Sequence, residues 1–208
     1  MPFDLWISFT IATIALVALP GPTVMLVVGY ALGKGKQTAW ATVPGVALGD
    51  FVATTLSLLG AGAVLAASAE LFTVLKLVGA AYLFWLGFQM WRKPPTFADA
   101  KEVTDTSENK KMFLKAFTVT ALNPKGIIFF VAFVPQFVDV SQPVFLQFAI
   151  LEATFLTLAI INVILWAMLA NKMRAHIKSQ KTQNLVSRIS GSCLMGAGFL
   201  TALIRRTA

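Results

Sequence analysis

Ala18-Leu19-Pro20-Gly21-Pro22 interrupts one long apolar stretch, and Ala121-Leu122-Asn123-Pro124-Lys125 interrupts another about 100 residues later. The two share a lead-in and a kind of break. A proline inside a helix removes a backbone hydrogen bond and crowds the carbonyl four residues earlier. In lipid the freed carbonyl finds no water, so a break persists only where protein or a wet cavity surrounds it. Matched breaks in two halves of a chain point to the binding site of a transporter. The bland alternative is that proline and glycine, both commoner in membrane helices than in soluble ones, merely kink these two.

The 208 residues are 57% hydrophobic and 12% charged, with a mean hydropathy of +0.76. A soluble domain carries roughly a quarter charged residues, about twice this share. The apolar runs therefore predict an all-α polytopic membrane protein. Six segments meet the requirement of roughly 20 apolar residues per span: Leu5–Leu32, Thr38–Ala67, Leu71–Trp91, Phe113–Phe137, Val144–Ala170 and Leu185–Ile204. The first lacks a basic leader, carries Asp4 and runs well past the roughly 7–15 residues of a signal core, so it is expected to stay.

The net charge of +8 resembles a nucleic-acid footprint until the charges are located. Lys34 and Lys36 follow segment one. Arg92, Lys93, Lys101, Lys110, Lys111 and Lys115 surround the central connector, and Lys172, Arg174, Lys178, Lys181 and Arg188 follow segment five. The connections after segments two and four carry only Glu70 and Asp139. Basic loops lie in the cytoplasm and meet anionic head groups, so the expected partners are lipids, with no nucleic acid. Both termini then lie outside, against which Arg205 and Arg206 weigh.

The hydrophilic connector makes residues 92–112 a cytoplasmic linker between three-helix repeats at 1–91 and 113–208. Three spans per half force the second half to enter the membrane in the opposite sense, giving two inverted repeats with Pro-interrupted helices one and four. Two further correspondences accompany the breaks. Asp50 lies 28 residues beyond Pro22 and Glu152 lies 27 beyond Lys125, while Lys76-x-x-Gly79 opens segment three as Arg188-x-x-Gly191 opens segment six.

These features set out a candidate substrate site at Pro20, Gly21, Pro22, Thr23, Asp50, Asn123, Pro124 and Lys125. Beyond each break a helix resumes, at Thr23 and after Pro124, with unpaired amides and a partial positive charge suited to a carboxylate. Inversion sets the two starts facing each other across the midplane. Asp50, near mid-depth in segment two, costs roughly 2.5–3.5 kcal/mol to insert and so needs a protein or water environment. It either carries protons, or pairs with a substrate ammonium, or forms an ion pair with Lys76 or Lys125. Glu152 is the second candidate for proton coupling. Asn162, Thr154 and Thr157 could bind a polar substrate or bridge helices. The glycines at Gly45-x-x-x-Gly49, Gly79 and Gly191 read as close helix contacts. The phenylalanines and tryptophans read as lipid-facing bulk or interfacial anchors, with Trp6 and Trp91 at head-group depth.

No phosphate-cradling glycine loop, His-Glu-x-x-His or Gly-x-Ser-x-Gly elbow occurs, so no enzyme and no cofactor is expected. Cys193 and His176 are solitary, which disfavours a metal site.

Leu19-Pro20-Gly21-Pro22, Gly45-x-x-x-Gly49-Asp50, Leu75-Lys76-Leu77-Val78-Gly79-Ala80-Ala81-Tyr82-Leu83 with Gly87, and Asn123-Pro124-Lys125 together resemble the LysE/RhtB family of bacterial amino-acid exporters. The resemblance spans essentially the whole chain, more loosely in the second half, and Glu152 matches no family motif. It implies a bacterial inner-membrane secondary transporter exporting a homoserine-, threonine- or leucine-like amino acid, driven by protons. The runner-up is a cation exporter of the same superfamily, for which Asp50, Glu152, Asn123 and Asn162 form a thin oxygen donor set. The sequence leaves a homo-oligomer open.

Overall fold

The computed structural model describes residues 1–18, 20–92, 109–139, 141–170 and 179–203. Leu19, most of the linker, the basic stretch containing Lys172, Arg174, His176 and Lys178, and Arg205 and Arg206 lie outside the described residues. Within them the chain is helical, with no strand.

Segment one is two helices, α1 (Phe3–Ala18) and α2 (Pro22–Lys34), whose axes meet at 49°. Pro22 itself occupies the first helical position, one residue before the expected restart. Its missing N–H is no loss there and its fixed φ suits the helix. A 3-10 turn (Lys36–Thr38) leads into α3 (Ala39–Ala67), followed by α4 (Ala69–Arg92). Pro44 lies in the second turn of α3 without ending it.

After the linker comes α5 (Asn109–Ala121), which starts inside the stretch assigned to the linker. Lys110 and Lys111 are good helix formers and carry the helix beyond its apolar part. The second break follows, then α6 (Pro124–Ile128), one π turn (Phe129–Phe133) and one 3-10 turn (Val134–Phe137). The last two helices are α7 (Val144–Leu169) and α8 (Gln180–Leu203).

Among the described residues four helical stretches are long and apolar enough to cross a membrane, and the bent α1–α2 pair makes a fifth. Helix α8 is not among them, and its first two turns are polar, from Gln180 to Arg188.

Two close pairings organise the bundle, α3 with α5 and α4 with α8. Both depend on glycine. A Cβ on Gly49 would stand 2.7 Å from Phe117 O, and one on Gly45 2.5 Å from Phe113 O. Gly87 and Gly191 face each other so closely that a Cβ on either would stand 2.4 Å from the other's carbonyl oxygen. Small residues of this kind let backbones approach where lipid gives no hydrophobic drive to association.

The core corrects the assignment of the phenylalanines to lipid. Phe9, Phe129, Phe130 and Phe133 are buried together, with ring centroids 4.9 Å apart for Phe129–Phe133 and 4.6 Å for the edge-on Phe130–Phe155 pair. Phe129 and Phe130 lie four and three residues before Phe133, a spacing that shares one helical face, and that face turns into the core. Others, such as Phe3 and Phe145, are exposed. Trp6 donates to Thr154 Oγ1 at 3.0 Å, and Trp91 donates to Arg188 O and Ser192 Oγ, each at 3.0 Å.

The connection before α7 is clasped by Gln147, which accepts from Asp139 N at 2.9 Å and donates to Asp139 O at 2.7 Å. The Asp139 carboxylate accepts from Ser141 Oγ and Ser141 N, and these bonds hold it below the usual carboxylate range.

Gly87→Ala should lower thermal stability in detergent by about 1–3 kcal/mol, the cost of overpacking. Gly60, whose Cβ position has no neighbour within 4 Å, should respond oppositely: Gly60→Ala gains up to about 1 kcal/mol of helix propensity.

Candidate functional site

The break in segment one frees carbonyls at the end of α1, among them Leu16 O and Val17 O. Pro20 has no N–H to offer Leu16 O, and the helix is already broken where Gly21 would have served Val17 O. Both acceptors are taken up by the other half of the chain. Lys125 Nζ donates to Leu16 O at 3.0 Å, and Asn162 Nδ2 donates to Val17 O at 2.8 Å. The two breaks also touch directly. Thr23 Oγ1 accepts from Thr120 Oγ1 at 3.2 Å and from Asn123 Nδ2 at 3.4 Å. A Cβ on Gly21 would stand 3.7 Å from Lys125 Nζ, an ordinary contact.

These bonds border a cavity of about 60 Å³. Gly21, Thr23, Asp50, Asn123 and Lys125 line it, so five of the eight expected substrate-site residues converge. Pro20, Pro22 and Pro124 instead face a neighbouring apolar cavity of about 330 Å³, which Gly21, Asn123 and Lys125 also border. The prolines therefore make the break, and the residues beside them make the polar site.

Asp50 and Lys125 set an acid and a base in the wall of one cavity. Of the bases considered for Asp50, Lys125 is the one the fold brings to it. Asp50 reaches the site because Gly49 lets α3 lie against α5, immediately before the second break. Its backbone carbonyl also accepts from Thr54 Oγ1.

The two helix starts are not equivalent, which corrects the expectation of a facing pair of open amides. At α6, Asn123 Oδ1 accepts from Lys125 N at 3.2 Å and Asn123 O accepts from Gly126 N at 3.1 Å. That end is capped by its own side chain, as asparagine at this position favours. At α2 the cap residue is Gly21, which has no side chain to offer, and the first helical bond is Met25 N to Gly21 O at 2.9 Å. Thr23 and Val24, whose amides precede that bond, both line the cavity. The start of α2 thus has no side-chain cap and that of α6 has one, while residues of both starts line the cavity.

Glu152 stands apart from the cavity. Its Oε1 accepts from Thr55 Oγ1 at 2.6 Å, tying α7 to α3. The three polar candidates of α7 separate as well. Thr154 meets Trp6, Thr157 bonds only its own helix at Ala153 O, and Asn162 alone lines the site. Missed by the sequence reading are Phe155, Ala159 and Val163, which form the apolar wall beside Asn162. Their spacing of four puts them on one helix face, but α7 is apolar all round and its pattern singles out no face. Among the described residues, no group of three or more His, Cys, Asp or Glu side chains gathers to hold a metal ion.

The LysE type translocator family matches residues 14–204. The homoserine/homoserine lactone efflux protein of Salmonella typhi is 31% identical over 205 residues, 99% of each chain being covered. An uncharacterized membrane protein of Vibrio cholerae is 30% identical over 207 residues, 97% of this chain and 98% of that one. The leucine efflux protein of Klebsiella pneumoniae is 27% identical over 136 residues, 65% of this chain and 64% of the relative. No solved structure matches.

Asn162→Leu leaves Val17 O without its donor and should cost about 1–3 kcal/mol, read as a lower unfolding temperature in detergent. Thr157→Val, at an exposed hydroxyl on the same helix, should stay within about 0.5 kcal/mol of the parent.

Proposed function

Because this chain belongs to the LysE type translocator family, we propose that it exports a small neutral amino acid, homoserine-, threonine- or leucine-like, across the bacterial inner membrane in exchange for protons. The observation that carries this is the cavity at the broken helix, where Asp50, Lys125 and the uncapped start of α2 meet. A zwitterion needs this pair of poles. Its carboxylate faces the Thr23 and Val24 amides and Lys125, as anions do at helix starts, and its ammonium faces Asp50.

Asp50 can neutralise its charge with a proton or with a substrate ammonium, but not with both at once. Exclusive occupancy of one carboxylate by two cations is the simplest basis for exchange. Intramembrane acids with this setting mark ion pathways. Glu152, held by Thr55 between the halves, is a second proton-coupling candidate whose bond joins α3 to α7.

The six-span, inverted-repeat reading is part of the proposal, with α8 as the sixth span. An inversion that exchanges segments one, two and three with four, five and six turns the α3–α5 pairing into one between α7 and segment one. It returns the α4–α8 pairing to itself. Helix α7 packs against both α1 and α2, and α4 against α8, which supports the reading.

Inverted vesicles carrying the protein should accumulate a labelled neutral amino acid only when a pH gradient is imposed. Asp50→Asn should bring that uptake to background while the protein remains inserted. Unchanged gradient-driven uptake by Asp50→Asn would remove Asp50 from the mechanism, and no uptake by the parent across a broad amino-acid panel would remove the exporter reading.

A further inference from the structure

Leu16 borders the polar site and also a second cavity, an apolar one of about 520 Å³ between α1, the turns after α6, and α8. Its floor is Leu16, Phe129, Phe133 and Leu194, all buried. Its rim is open, with Ser8, Ile11 and Cys193 exposed. The space exists because α1 does not close onto α8. A Cβ on Gly191 would stand 2.4 Å from Gly87 O, whereas one on Gly196, further along the same helix, would meet nothing within 4 Å. One side of α8 is sealed by α4, and the other stands off from α1.

Chemistry and depth decide what fills this space. Ser8 and Cys193 supply the side-chain polar atoms of the described lining, and a buried water needs roughly two to four polar partners. The cavity faces sideways from α1 and from Asn109–Phe137, stretches apolar enough to cross a membrane, so the medium against its rim is hydrocarbon. From Ser8 to Leu16 the helix rises about 12 Å at roughly 1.5 Å per residue. One leaflet is about 15 Å of hydrocarbon, half of roughly 30 Å. The cavity therefore matches the depth of one leaflet.

We propose that this cavity is a lipid site, in which one acyl chain of a phospholipid lies between α1 and α8 along Phe137, Phe133 and Phe129. The end of the chain rests against Leu16, which gives its carbonyl to Lys125 and its side chain to the lipid. Bound there, the chain holds α1 apart from α8 and closes the flank of the bundle behind the polar site. The proposal requires a membrane-spanning chain and does not depend on what that chain carries.

The probe is phosphatidylethanolamine carrying a diazirine at the end of one acyl chain, photolysed in vesicles that hold the whole chain, with attachment sites read by peptide mass spectrometry. Attachment should concentrate on Leu16, Leu194 and the residues beside them, above the level at Ile161 and Leu165 on the exposed face of α7. A diazirine placed near the head group should move it toward Ser8 and Ala197. Gly196→Leu puts a side chain into the open space and should lose the attachment on α1 and α8 while keeping that on α7. In the parent, Cys193 should stay unmodified by a charged, membrane-impermeant methanethiosulfonate applied from either side, since the reactive thiolate does not form in apolar surroundings. Attachment no denser on α1 and α8 than on α7, or undiminished in Gly196→Leu, overturns the proposal. Ready modification of Cys193 by the charged reagent does so too, by showing water in the cavity. A Cys193–Cys193 disulfide between two copies overturns it by putting a second copy where the lipid should lie.

Discussion

Two carbonyl oxygens, Leu16 O and Val17 O, set the terms for the rest of the structure. The Pro20-Gly21-Pro22 break removes their helical donors at a depth where lipid supplies none. An orphaned backbone acceptor there costs several kcal/mol, whereas a satisfied one contributes only about 0.5–1.5 kcal/mol net. The penalty for leaving them bare therefore exceeds anything gained by pairing them, and the fold must bring donors. It brings them from the far half of the chain, as Lys125 and Asn162. Delivering Lys125 to Leu16 O also places an ammonium beside Asp50, and delivering Asn162 to Val17 O places the face of α7 against the same cavity. The polar site is a consequence of repairing the break.

The second break is repaired differently. Asn123 turns its side chain back onto its own helix start and reaches Thr23 with its amide nitrogen. One helix start is capped by its own asparagine, and the other break has its freed carbonyls satisfied by remote residues. The pair is related in sequence and divided in role. After α6 the backbone does not recover a regular α-helix but passes through a π and a 3-10 turn. These turns gather Phe129, Phe130 and Phe133 into the core under the site.

Much of this was legible in the residues. Apolar run lengths located the helices to within a few positions, because a span is dictated by bilayer thickness. The glycines at 45, 49 and 191 read as close contacts and are so. Lys125 is legible as a partner for Asp50 only alongside Lys76, since charges on separate segments carry no register relative to each other. Asn162 was indistinguishable from Thr154 and Thr157, three polar residues on a helix whose apolar pattern marks no face. The buried phenylalanines are not separable from the exposed ones by composition, since an apolar side chain suits lipid and core alike. Pro44 shows the converse: the same residue that breaks α1 from α2 sits inside α3 without ending it.

The central claim, that the repaired break is where cargo binds, is tested most directly at Gly21. Its Cβ position faces Lys125 Nζ at ordinary contact distance, so Gly21→Cys places a thiol in the cavity without displacing backbone. In a Cys193→Ser background, the rate of maleimide labelling of that thiol is measured with and without saturating amino acid. The account predicts that labelling occurs and is slowed by every amino acid the protein transports. A labelling rate unaffected by a transported amino acid would contradict it.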